Sequence, residues 1–362
     1  KSVAETSDGG YIVGGYFSSE VDLGNENKLV ASGLAYDAMV IKYNEKGELE
    51  WAKGIGKNQS EIIYSVCGTS DGGCIVGGFF FSASIDIGNG ITLTKKASNN
   101  YSDAMIIKYD VNGQAEWARG IGGTNSELVE SVCATSDGGC IVGGSFKSVS
   151  VDLGNNIRIT NASSSTSNSD GMIIKYDSKG QTEWAQEIGG TDSEVVYSAI
   201  EMSDGNYIVG GRFNSDSVDL GNELDLKSNG SMDGMLVKFE KIELPDVEII
   251  HAQGIGGTGH DEINSVVDTK DGGYIVGGFF ESDSIDLENG IKLISNTSGS
   301  YSDGMLIKYN SDGIAQWAQV IGGTNSDYVK SVVETRDGGR FNSDSVDLGN
   351  ELDLKSNGSM DG

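Results

Sequence analysis

The chain has 362 residues, 54 of them glycine and one proline, with 37% hydrophobic content and a formal net charge of −29. That glycine-to-proline imbalance excludes collagen-like and Pro/Gly-disordered chains, and no apolar run approaches the ~20 residues of a membrane-spanning helix. Such acidity repels phosphate backbones and anionic lipid, so neither nucleic-acid binding nor direct membrane insertion of this segment is expected.

Length alone would suggest two or three domains, but internal repetition takes precedence. The string Ser-Val-x-x-Thr-x-Asp-Gly-Gly, with small variations, begins at Ser2, Ser65, Ser131, Ser198, Ser265 and Ser331, so copies recur every 63 to 67 residues. Four strand candidates follow in order within each copy. The first is the Ser-Val-x-x-Thr segment. A turn such as Asp71-Gly72-Gly73 closes it, where glycine supplies the positive φ of a tight hairpin. The second strand reads YIVGGYF over 11–17. A connection of about twenty residues or more comes next, with its own hairpin signal over 85–93 (IDIGNGITL). The third strand, MIIKY over 105–109, is rich in β-branched and aromatic residues. A turn at Asp110-Val111-Asn112-Gly113 leads to the fourth, EWARGIGG over 116–123. No window holds a helical period.

Four antiparallel strands repeated five or more times predict an all-β fold, a β-propeller of ~66-residue blades. The expected blades are 1–64, 65–130, 131–197, 198–264 and 265–330, with 331–362 a truncated sixth. The sixth copy is defective by sequence. Its second strand is missing, and 340–362 repeats 212–234 residue for residue. The chain therefore reads as a fragment of a longer protein, with no naturally closed ring. In a four-stranded meander the two short turns share one end, and the long connection and inter-blade link share the other.

Trp51, Trp117, Trp184 and Trp317 occupy one equivalent place in the fourth strand, which points to packing between blades rather than ligand stacking. Cys67, Cys74, Cys133 and Cys140 replace apolar residues of other copies. Buried free thiols are favoured, with an intra-blade disulfide as the alternative. The spacing is not that of a Cys-x-x-Cys metal site. Acidic residues recur in the long connection (Asp22, Asp86, Asp152, Asp219, Asp286), before the third strand (Asp37, Asp103, Asp170, Asp233, Asp303) and in the link (Glu61, Glu127, Glu194, Glu262, Asp327). Loop carboxylates suit calcium, but no copy has a full Asp-x-Asp-x-Asp-Gly loop, and hydrogen bonds to turn amides are the commoner use. No cofactor is expected, with calcium the alternative. The only histidines, His251 and His260, raise the question of a catalytic or metal site with Asp261 and Glu262. A drifted turn is the simpler reading, since the two histidines lie at opposite parts of their copy. Gly254 to Gly259 spells GxGxxG, but no helix follows it, so dinucleotide binding is not expected.

The motifs Asp137-Gly138-Gly139, 141–144, 170–176, Gly180, Trp184 and Gly189-Gly190, repeated over 1–330, resemble the bacterial SBBP-type β-propeller repeat family. The resemblance implies a secreted or surface-exposed, often multidomain, bacterial protein and transfers no catalytic residue. The expected function is a non-catalytic scaffold that binds protein or glycan through its long-loop face, where repeated weak sites would give avidity. Candidate contacts are Asn125, Glu127, Asp192, Glu194, Asn325 and Asp327. The alternatives are a spacer array in a large adhesin-like protein and a propeller hydrolase or lyase.

Overall fold

The computed structural model describes residues 1–334, 360 and 361, except 99, 164–166, 222–223, 242–246, 288, 297–300 and 324. Apart from Met360 and Asp361, the repeated segment 340–362 lies outside the described residues. Every regular element among them is a strand. The chain divides into two compact units, Lys1–Glu201 with Lys241–Val247, and Met202–Glu240 with Glu248–Gly362.

The four-stranded antiparallel sheet recurs as the sequence predicts. The second copy pairs Glu61–Gly68, Cys74–Phe80, Asp103–Tyr109 and Ala115–Ile121 in that order, and the first, third and fifth copies repeat it. The long connection folds as a two-stranded hairpin, Ser84–Gly88 with Ile91–Thr94 in the second copy. The first strand begins at Glu61, Glu127, Glu194 and Asp261, four residues before the serine that marks each copy. A bulge explains why that extension is hard to see. Between Ile63 and Ser65, between Val129 and Ser131, and between Ile263 and Ser265, one residue drops out of register and breaks the alternation.

The repeated string is a set of stitches between consecutive copies. The marker serine accepts a hydrogen bond from the next copy's first strand: Ser2 from Val66 N at 3.2 Å, Ser65 from Val132 N at 3.1 Å, Ser265 from Val332 N at 3.2 Å. The Gly-Gly of the second strand is required by close approach. A Cβ on Gly77 would lie 2.5 Å from Val129 and 2.6 Å from Val132 of the next copy, and one on Gly78 only 1.9 Å from the Ile62 carbonyl beside the bulge. Burial then falls between copies, where Val76, Phe80, Ile107 and Tyr109 of the second sheet join Ile12 and Val40 of the first in one core.

Trp51 and Trp117 pack between copies as expected. The Trp51 indole donates to Val111 O at 3.0 Å and lies against Gly113, and Trp117 donates to Ser178 O at 3.1 Å and lies against Gly180. His251 holds the same place against Gly313. The cysteines are free. Register corrects the alternative of an intra-blade disulfide, because Cys67 pairs with Ile75 while Cys74 pairs with Gly68. Neighbouring register positions face opposite sides of a sheet. Cys67 therefore packs with Cys140 in the core towards the third copy, and Cys74 in the core towards the first.

The short-turn end is held by buried lysines. Lys108 is nearly buried, 2.8 Å from Asp71 of the Asp-Gly-Gly turn and 3.0 Å from Glu116, and Lys175 repeats this with Asp137 and Glu183. Lys42 reaches across to Gly72 O of the next copy at 3.2 Å. The Lys42 ammonium, with Thr6, lowers Asp8 to about 2.

Candidate functional site

The long-connection end is built differently. Each link there contains two carboxylates turned inward. Glu127 is fully buried and accepts from Gly123 N and Ser148 N, both at 3.2 Å. Asp103, also buried, accepts from Lys96 N at 2.6 Å and Ala97 N at 2.9 Å. A backbone bond joins consecutive copies beside them, from Glu127 N to Ser102 O at 3.0 Å, and recurs from Glu61 N to Tyr36 O and from Asp261 N to Met232 O. The link carboxylate of the fourth copy is thus Asp261, which accepts Gly257 N at 2.8 Å, and not Glu262, which sits one residue out of register. A glycine seals each pair: a Cβ on Gly256 would lie 1.9 Å from Asp233 Oδ1 and 2.8 Å from Asp261 Oδ2. Burial, with Asp103 adding like charge, lifts Glu127 to about 7, and burial with Glu194 and Glu187 lifts Asp170 to about 7.

The structure places the six candidate contacts in these links. Asn125 is buried, with its side-chain oxygen accepting from Ser126 N at 2.8 Å. Glu194 is buried and accepts Gly190 N at 2.9 Å, and Asp327 is buried and accepts Gly323 N at 2.8 Å. Asp192 and Asn325 are half-exposed. Among the described residues no group of three or more His, Cys, Asp or Glu side chains converges in a way that could hold a metal ion. His260 lies 3.7 Å from Glu262 and edge-on to Phe279, whereas His251 lies on the Gly313 turn.

Sequence reasoning missed the side chains that stand above the links, which are aromatic. In the first unit Tyr36 and Tyr16 are 45% and 37% exposed, their rings 4.8 Å apart and edge-on. Tyr64 lies 5.6 Å from Phe79, which lies 5.5 Å from Phe81. Tyr64 is the bulged residue, and Tyr16 and Phe79 follow the Gly-Gly of the second strand; Tyr16 is exposed, Tyr64 half-buried and Phe79 buried. Glu130, the bulged residue of the next copy, is near enough to Tyr64 to push its phenol pKa upward, after burial and together with Tyr16. In the second unit buried Phe279, which also follows a Gly-Gly, lies 4.8 Å from Tyr328 and edge-on to it. A ligand would meet flat apolar faces edged by hydroxyls and carboxylates.

No protein-family model matches the chain. Over 166 residues it is 28% identical to "Regulatory protein FlaEY" of Caulobacter vibrioides, a match covering 46% of this chain and 17% of that protein. Over 250 residues it is 25% identical to "Uncharacterized WD repeat-containing protein L264" of Acanthamoeba polyphaga mimivirus, covering 60% of this chain and 17% of that protein. The chain thus spans about a sixth of the length of either relative. Among solved structures, Sqt1 from Chaetomium thermophilum is similar over 91% of this chain and 73% of its own, with TM-score 0.39 and 12% identity. A protein of unknown function from Bacteroides caccae is similar over 78% of this chain and 89% of its own, with TM-score 0.31 and 13% identity.

Proposed function

We propose that the four-stranded sheets are the blades of a β-propeller of the kind the SBBP-type repeat resembles, and that the chain is a non-catalytic binding scaffold. In this reading it belongs to a secreted or surface-exposed bacterial protein and engages a protein or glycan through its long-connection end. The observation that carries the proposal is the set of rings there, exposed Tyr16 and Tyr36 with half-buried Tyr64 in one unit and half-buried Tyr328 in the other. Aromatic side chains combine large contact area with little conformational entropy, and they dominate binding surfaces for that reason. The recurrent polar motifs elsewhere are taken up in stitches between copies. Glu127, Glu194 and Asp327 shape the surface from beneath, and Asp192 and Asn325 remain as direct contacts. No cofactor is part of the proposal.

The test is a screen of the purified chain against immobilised glycans and extracellular proteins. It is run beside a Tyr16→Ser/Tyr36→Ser variant and a control changed at exposed Lys46 in a short turn. A ligand lost by the first variant and kept by the control is the expected result. A folded chain that binds nothing in either screen would reject the scaffold and leave the spacer array.

A further inference from the structure

The exposed rings are not empty of partners, and the partners share one chemistry. The Lys1 ammonium sits between two rings, 5.7 Å from the centre of Tyr16 and 5.5 Å from that of Tyr64. In the second unit the Lys330 ammonium lies 5.3 Å from the centre of Phe279 and 5.2 Å from that of Tyr328, with Asn264 Oδ1 accepting from it at 3.3 Å. Lys95 lies 5.9 Å from the centre of Phe81. A ring face is electron-rich and attracts cations, most strongly where water is partly excluded. Two of these sites use the residue before a marker serine and the ring that follows a Gly-Gly, Lys1 with Tyr16 and Lys330 with Phe279. Their second rings, Tyr64 and Tyr328, hold different places in the repeat. Lys1, Tyr64, Glu130, Asn264 and Lys330 each precede a marker serine, so all stand in one column of the repeat. Lys1 and Lys330 each fill the ring pair beside them, whereas Tyr64 supplies a wall and Glu130 a negative charge.

We infer that the slot between Tyr16 and Tyr64 is a recognition site for a lysine side chain of a basic protein segment, with Lys1 as its internal stand-in. The inference rests on the binding-surface reading and gives that surface a class of partner. Three features select a cationic peptide over a neutral sugar. The slot already accepts an ammonium, Glu130 adds a carboxylate beside Tyr64, and the chain carries a net charge of −29 that draws in basic segments over longer range.

The probe is a fluorescent ten-residue oligolysine, titrated by anisotropy at 0.3 M NaCl so that unspecific attraction is screened. Three forms are compared: unmodified, with every lysine trimethylated, and with every lysine acetylated. Trimethyl-lysine keeps its cation without N–H donors, and acetyl-lysine loses the charge. Binding that survives trimethylation, weakens at least tenfold on acetylation, weakens at least fivefold in both Tyr16→Leu and Tyr64→Leu, and strengthens in Lys1→Ala is the expected pattern. Oligolysine binding that is equal in the parent chain and the two leucine variants would overturn the inference and mark simple charge attraction. A glycan ligand from the wider screen whose binding is indifferent to Tyr16→Leu, Tyr64→Leu and Lys1→Ala would also overturn it, while leaving the scaffold reading intact.

Discussion

Glu127 shows how a repeated residue can be polar by type and interior by position. It is fully buried, bonded to two backbone amides, and burial raises it to about 7. Asp170 is raised to about 7 in the neighbouring link. An unfolded carboxyl titrates near ~4, so between about pH 4 and pH 7 the folded chain holds protons that the unfolded chain has released. Stability therefore falls as pH rises through that window and levels off above it. The lowered Asp8, Asp71 and Asp137, each at about 2, act in the opposite sense and only at lower pH. The urea midpoint should drop between pH 5 and pH 8, by on the order of 1–3 kcal/mol in unfolding free energy. Glu127→Gln should flatten that slope. A parent chain equally stable at pH 5 and pH 8 would remove the assignment. The sequence showed that an acidic residue recurs here and that turn amides were its commonest partners. It did not show burial, because the flanking glycines and serines carry no apolar signal. That missing signal also let Glu262 be taken for Asp261.

At the scale of a strand, Trp51 and Trp117 do what their spacing suggested. Trp117 covers the Gly180 turn and donates to Ser178 O, so its truncation removes a large contact and leaves a carbonyl unpaired. Trp117→Ala should cost about 3–5 kcal/mol in chemical denaturation. His251 fills the same place over Gly313 with a smaller ring. His251→Trp should raise the midpoint of the chain, by about 1 kcal/mol for the added apolar area. A fall in stability would mean that the indole does not fit the turn, and that the histidine is there for its shape. Strand identity was legible because β-branched runs and Asp-Gly-Gly turns agree in every copy. Strand starts were not, since the bulges at Tyr64 and Glu130 interrupt the period of two. The same one-residue sensitivity misplaced the cysteines, as the turn closes with Thr69 N on Gly73 O and puts Cys67 and Cys74 on opposite faces. The buried lysines were invisible for the reverse reason. Lys108 and Lys175 sit in apolar strands where a charged residue is normally read as solvent-facing, and they are satisfied there by the turn aspartate together with Glu116 or Glu183.

Over the whole chain, 54 acidic residues face 25 basic ones, and five of the basic ones, Lys42, Lys108, Lys175, Lys238 and Lys308, are buried in the short-turn latches. Carboxylates such as Asp103, Glu127 and Asp170 are buried as well, so the solvent-exposed charge stays about as one-sided as the total, and self-repulsion works against the folded state. The cost is long-range and screened by salt, whereas the short latch contacts are shielded from it. Raising NaCl from 10 to 200 mM should therefore raise the melting temperature by several degrees, with the gain saturating as the screening length falls to about 7 Å. Calcium provides the discriminating arm. Inward carboxylates such as Glu127 and Asp103 are already met by backbone amides, and among the described residues no three-ligand group converges. At matched ionic strength CaCl2 should then do no more than MgCl2, apart from the general effect of divalent charge. A calcium-specific rise saturating at micromolar concentration would show instead that the links reorganise around a cation, and would shift the account of their carboxylates from stitching to ligation.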